Sequence, residues 1–104
     1  MPTAEIEELK KRLLSQLSPV SLYLFGSYAD GSYTDDSDFD FYVIVNDSEK
    51  DLAALTAKAY RSIRDIKTRP VDILVGTQSR FEERKHLSTV ENEVFRKGVL
   101  LYGT

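Results

Sequence analysis

Two short apolar runs, Val20–Phe25 and Phe39–Val45, constrain the fold more than any other feature of the chain. Both read as strands. Val20–Phe25 is apolar on both faces, as expected of a central strand. Phe39–Val45 alternates. Phe39, Phe41, Val43 and Val45 make one apolar face, suited to helices, while Asp40, Tyr42 and Ile44 continue the face that Asp38 begins. Between the runs lies a polar stretch that opens on Gly26-Ser27 and closes on Asp38. One strand therefore ends in Gly-Ser, and the next begins on a pair of carboxylates.

Each end has a chemistry. Asp38 and Asp40 share a face one strand repeat apart, so without a cation one of them should resist ionising. A divalent metal relieves that conflict, and Mg²⁺ characteristically takes one or two carboxylates plus substrate phosphates. At the other end, a strand entering Gly26-Ser27 and then a short helical turn over 27–31 presents free backbone N–H groups that suit phosphate. Gly26 allows close approach to that backbone. Ser37, beside Asp38, is a candidate to orient the site through its hydroxyl. Taken singly these features are ordinary: Asp-x-Asp pairs usually sit in solvated turns, and Gly-Ser is common turn composition. Their combination between two strands is what carries weight.

Gly26-Ser27, ten residues, then Asp38-Phe39-Asp40 resembles the signature of the DNA polymerase β-like nucleotidyltransferases. It is most similar to the minimal nucleotidyltransferase (MNT) branch, small single-domain proteins often encoded beside a helical HEPN partner. The family carries a third carboxylate on a later strand, and Pro70-Val71-Asp72-Ile73-Leu74-Val75 matches that element. Arg96–Tyr102 resembles the way these domains close, so the resemblance covers nearly the whole chain. It implies a Mg²⁺-dependent enzyme with two ions held by Asp38, Asp40 and Asp72, and with ATP as substrate. It further implies that Gly26 and Ser27 hold the terminal phosphates, and that the acceptor is a tyrosine on a HEPN-type toxin. One departure stands out: the family pattern Gly-Ser-x-Ala-Arg-Gly has Asp30 here in place of Arg. That puts a negative charge near the phosphates and works against triphosphate binding.

The rest of the chain reads as cover for the sheet. Residues 4–17 place Ile6, Leu9, Leu13, Leu14 and Leu17 near one helical face, and Ser18-Pro19 stops the helix. Residues 49–67 read as a long helix with Asp47 or Ser48 as N-cap and a solvated basic face of Lys58, Arg61, Arg64 and Lys67. In 70–75 Asp72 interrupts an apolar strand. A buried lone carboxylate is costly unless paired with an Arg or bound to metal. Ser79-Arg80-Phe81-Glu82 and Ser88-Thr89-Val90-Glu91 resemble capping boxes and suggest short helices near 80–86 and 89–97, the second ended by Gly98. Val99–Tyr102 is a last strand, expected at a sheet edge. Tyr28 and Tyr33 could stack on a base, but loop tyrosines more often cover neighbouring surface.

Charge and composition narrow the function. No Lys or Arg occurs between Arg12 and Lys50, an interval that holds Asp30, Asp35, Asp36, Asp38, Asp40, Asp47 and Glu49. Such a surface repels phosphate unless metal accompanies it. Metal-bound nucleotide suits it, whereas bare nucleic acid does not. With no Cys there is no thiol nucleophile or zinc-thiolate site, and His86 has no partner at ligand spacing. No apolar run approaches the ~20 residues that span a membrane, and the N-terminus lacks a signal-peptide pattern, so the expectation is a cytoplasmic protein. The expected architecture is one α/β domain over 1–104 of nucleotidyltransferase fold, with a small mixed sheet and helices packed on one face. The alternative to an enzyme is an inactive domain of the same fold that neutralises a helical partner by binding. A Ca²⁺ loop at 35–40 lacks the spacing and closing Glu of an EF-hand.

Overall fold

Helix α1 spans Thr3–Leu17, and its apolar stripe of Ile6, Leu9, Leu13 and Leu17 is buried. It ends where Ser18 turns left-handed and returns its N–H to the Leu14 carbonyl; Pro19 then cannot continue the helix. The protein is described here from a computed structural model covering residues 2–103. After α1 come β1 (Ser21–Phe25), α2 (Ser27–Asp30), β2 (Phe39–Val45), α3 (Leu52–Ile63), β3 (Val71–Thr77), α4 (Gln78–Arg84), α5 (Val90–Lys97) and β4 (Val99–Tyr102). Among the described residues the strands make one mixed sheet in the order β3-β2-β1-β4. β1 is antiparallel to both β2 and β4, and β2 is parallel to β3 across the α3 crossover. Among the described residues no helix is long and apolar enough to cross a membrane.

The sheet separates two cores. On one side Phe39, Phe41, Val43 and Val45 pack with Leu22 and Leu24 beneath the buried faces of α1 and α3. This is the helix-bearing face that the alternation of β2 indicates, and each fully buried Leu or Phe there contributes about 1.5–3 kcal/mol. On the other side Phe25, Tyr42 and Ile44 meet Phe81 of α4 and Val94 of α5. The short helices thus cover part of the opposite face, leaving the Asp40 end of the sheet open.

Several boundaries differ from the sequence reading. Helix α3 is shorter than 49–67. Its N-cap is Asp51, which accepts from the Ala54 N–H at 3.0 Å. Asp47 instead accepts from the Ser79 N–H at 2.9 Å, at the start of α4, and Asn46 accepts from the Ser48 N–H in a local turn. Both are therefore engaged before the helix begins. Beyond Ile63 the chain leaves the helix, although the Ile66 and Lys67 N–H groups still bond the Ile63 carbonyl and Ile66 stays against the core. The α4 and α5 caps are Thr77 and Thr89, not Ser79 or Ser88. Tyr60, on α3, accepts the Ile73 N–H at 2.9 Å, and so satisfies a donor that edge strand β3 would otherwise leave open.

Beneath α5 a carboxylate ties the second core together. Glu91 is 3 % exposed, accepts from the Tyr42 hydroxyl at 2.7 Å and from Arg84 Nε at 3.0 Å. Burial pushes its carboxyl up, but the bonds from Tyr42 and Arg84 outweigh that and hold it below its ordinary 4.5. Glu91 therefore adds stability above pH 4.5 and withdraws it as the pH falls further. Glu91→Ala should cost about 2 kcal/mol in urea unfolding at pH 7, because it leaves Tyr42 without its acceptor. The same variant should lose less stability than wild type between pH 4.5 and more acidic conditions.

Candidate active site

Gly26 joins β1 to α2 with φ 73° and ψ −153°, a backbone region open essentially to glycine alone. The position also demands glycine for space, since a Cβ there would lie 2.3 Å from Asp40 Oδ2. The backbone at the Gly-Ser turn thus lies directly against the Asp40 carboxylate. The first bonds of α2 run from the Ala29 and Asp30 N–H groups to the Gly26 carbonyl, so those of Ser27 and Tyr28 lie ahead of the helical ladder.

Asp40 is partly buried on β2, opposite Phe25 of β1 on one side and Asp72 of β3 on the other. Its carboxyl is pushed up to about 6, chiefly by burial, then by Asp72, with which it can share a hydrogen bond, and then by Asp38 and Glu93. The strain expected between Asp38 and Asp40 is therefore present, but burial and Asp72 are its larger sources. Asp38 is exposed at the end of the loop preceding β2.

Asp72 corrects the sequence reading in one respect. It is exposed, not buried, because β3 is an edge strand whose Asp72 and Leu74 face outward while Val71 and Ile73 enter the core. The burial cost inferred from its neighbours does not arise. Its significance comes from register: parallel pairing sets Asp40 against Asp72. Among the described residues no Lys or Arg makes an ion pair with Asp72.

Other sequence candidates find local partners. Ser37 turns its hydroxyl into the loop, where it accepts the Thr34 N–H at 2.9 Å. It therefore bears on the site through loop shape, one residue from Asp38. Asp30 accepts from both the N–H and the hydroxyl of Ser32, at 2.9 and 2.6 Å. Those bonds, with a further contribution from Lys97, hold its carboxyl below the ordinary range. Tyr28 is 4 % exposed, stacks on Tyr33 and meets Phe39 at a tilt of 53°, so it covers the core and is not free to stack on a base.

Two residues of the site lie beyond the reach of sequence reasoning. Glu93 adds a negative field at Asp40 from α5, whose placement only the fold decides. Beside it an open hollow of about 550 Å³ runs between Phe25 and the Thr89, Asn92, Glu93 and Arg96 side of α5. Arg69, just ahead of β3, reaches back across the loop to α1 and α2.

The donor set is all oxygen and suits a hard divalent cation. Among the described residues no group of three or more acidic or histidine side chains is gathered to enclose an ion. Asp40 and Asp72, side by side in register, are oxygen donors of the kind that a hard cation takes.

The four-stranded mixed sheet with its five helices places the chain among the α/β proteins, with a Gly-Ser turn packed on one strand carboxylate and a second carboxylate in register beside it. The sequence model of the nucleotidyltransferase domain matches residues 6–100, and the chain belongs to that family. It is similar to a toxin–antitoxin structure solved with AMP-PNP, at 27 % identity and TM-score 0.58, covering 94 % of this chain and 73 % of the other. It is also similar to the complex of a tri-AMPylated Shewanella oneidensis HEPN toxin with its MNT antitoxin, at 23 % identity and TM-score 0.58, covering 100 % and 74 %. Spectinomycin adenyltransferase from Enterococcus faecialis, solved with ATP and spectinomycin, shares the fold at TM-score 0.75 and 18 % identity. That match covers 98 % of this chain and 56 % of the enzyme. The MNT branch indicated by the motif is thus represented among its structural relatives. No match was found among curated proteins.

Proposed function

We propose that this chain transfers a nucleoside monophosphate, AMP from ATP, to an acceptor hydroxyl, and that the acceptor is a tyrosine on a HEPN-type toxin that it neutralises. The observation that carries the reading is the contact of the Gly26 backbone with Asp40, which sets the Gly-Ser turn against a strand carboxylate. The AMP-PNP in one similar structure and the AMPylated toxin in another support the choice of an adenine nucleotide and of a toxin acceptor.

In this reading the N–H groups at Gly26 and Ser27, with the Ser27 hydroxyl, hold the β- and γ-phosphates. Asp38, Asp40 and Asp72 would hold Mg²⁺, which when bound neutralises phosphate charge and lowers the pKa of the acceptor hydroxyl. Asp38 and Asp40 position the triphosphate end, and Asp72 serves the acceptor end. The acceptor oxygen bonds to the α-phosphorus as the bond to the bridging α–β oxygen breaks; pyrophosphate leaves and the acceptor proton passes to solvent. Ser37 supports Asp38 from the loop.

The test is calorimetric titration of ATP with and without Mg²⁺, beside an Asp38→Asn, Asp40→Asn double variant. Metal-dependent binding that the double variant loses is the expected result. Silence of the wild type toward ATP, GTP, CTP and UTP would instead favour an inactive binding domain, the reading that Asp30 supports by adding negative charge at the Gly-Ser turn. The two also part on neutralisation of the toxin, which Asp38→Asn should abolish for an enzyme and spare for a binding module.

A further inference from the structure

One guanidinium ties together the segments that carry the site. Arg69 precedes β3 and lies over the ring of Phe39, 4.6 Å from its centroid, and Phe39 stands between Asp38 and Asp40 in sequence. Its Nη2 donates to Glu5 Oε1 of α1 at 3.2 Å, and its Nε donates to Glu5 Oε2 at 3.3 Å. Its Nη1 reaches the Tyr28 hydroxyl of α2 and the Ser37 carbonyl, the latter at 3.3 Å. The Tyr28 hydroxyl donates onward to the Thr34 carbonyl at 3.3 Å. Glu5 is held in turn by the Thr68 hydroxyl. Burial works against the Arg69 charge, but Glu5 and Tyr28 outweigh it and raise its pKa further, so the cation is permanent.

We infer that Arg69 is the positioning residue of the site, fixing the 31–38 loop and with it Asp38. Besides Arg69, the Tyr28 hydroxyl bonds the Thr34 carbonyl and the Tyr28 ring stacks on Tyr33. The loop's remaining bonds are local, among Asp30, Ser32, Thr34, Asp36 and Ser37, and most of its residues are exposed. Asp38 itself is exposed, and among the described residues no hydrogen bond or ion pair holds its side chain, so its position follows from the Ser37 carbonyl one residue away. A lysine cannot substitute, because an ammonium on a flexible stem lacks the planar fork that spans Glu5, Tyr28 and Ser37 together. The inference rests on the nucleotidyltransferase reading for its functional consequence, and on the contacts alone for its structural one.

The experiment has two arms on the full chain. Amide hydrogen exchange of the metal-free protein compares wild type with Arg69→Met, Arg69→Lys and Glu5→Gln. Mg²⁺-ATP titration is made on the same proteins well below their melting temperatures, with Arg12→Ala as control. Arg12 joins α1 to Asp65 after α3 at 2.8 Å, away from the site, so its loss should lower stability without touching affinity. The expected result is exchange in 31–38 that is about tenfold faster in Arg69→Met while β1 and β2 stay protected, with affinity reduced about tenfold as the competent loop fraction falls. Arg69→Lys should not rescue either readout, and Glu5→Gln should move both in the same direction by less. Should Arg69→Met fail to fold, Arg69→Lys and Glu5→Gln decide the matter by the same two readouts. Unchanged loop exchange, full rescue by lysine, or an affinity loss no larger than that of Arg12→Ala overturns the inference. Absence of nucleotide binding by the wild type sinks the transferase reading but leaves the exchange arm to decide the clamp.

Discussion

Asp40→Asn should make the metal-free protein more stable while removing the transfer activity proposed for it. The ordinary carboxyl value is 3.8, and the fold pushes Asp40 to about 6. The folded protein therefore favours the protonated acid, and ionising it at pH 7 costs stability. That cost is absent below pH 3.8, grows as the pH rises toward 6, and is constant above. Asparagine keeps the shape and removes the charge. The shift would correspond to about 3 kcal/mol for a group removed from solvent. Asp40 is only partly buried, so screening reduces the gain to about 1 kcal/mol, or about 4–8 °C in melting temperature for a domain of this size. Mg²⁺ should raise the melting temperature of the wild type and not of the variant. Transfer should fall by about 10²–10³-fold or more, since a group that organises transition-state charge is lost. Scanning calorimetry with and without Mg²⁺ reads the first effect. Release of labelled pyrophosphate reads the second. A variant that melts lower than wild type without metal would contradict the account of strain at Asp40.

Gly26→Ala should damage both stability and site. Alanine at φ 73°, ψ −153° is strained by about 1–3 kcal/mol, and its Cβ would displace the Asp40 carboxylate from 2.3 Å. The strain should appear as a lower midpoint in urea. The displacement should abolish Mg²⁺-dependent ATP binding even at temperatures where the variant is folded. Gly31→Ala is the matched control. Gly31 has φ 86°, but no heavy atom lies within 4 Å of where its Cβ would stand. It should cost about 1 kcal/mol of left-handed strain and leave binding intact. Equal loss of binding in both variants would mean that backbone strain, not the contact with Asp40, disables the site.

The site was legible where local pattern was enough. The alternation of Phe39–Val45 assigns Asp40 to the face away from α1 and α3, and the structure agrees in bounds and in face, although Tyr42 and Ile44 beside Asp40 are buried as well, against α4 and α5. Gly-Ser at the end of an apolar run is a glycine-specific corner, and Gly26 is one. Asp72 is singled out by the family resemblance and by a local argument that fails, its supposed burial; it lies in register with Asp40 because β3 pairs parallel with β2. The α3 cap was missed because four Asn, Asp and Ser residues compete within 46–51, and tertiary contact with Ser79 takes Asp47 out of the contest.

The sequence by itself therefore determined the strands, the helix faces, the Gly-Ser corner and the carboxylate pair. These depend on backbone periods of two and 3.6 residues and on the conformations open to glycine, all of which act within a few residues. The tertiary structure alone decided that Asp72 faces Asp40 from an exposed edge, that Glu93 charges the same cleft, that Tyr28 is core, and that Arg69 locks the loop. Those facts join residues distant along the chain, and such pairings are set by which strands become neighbours and which helices cover them, not by any local period.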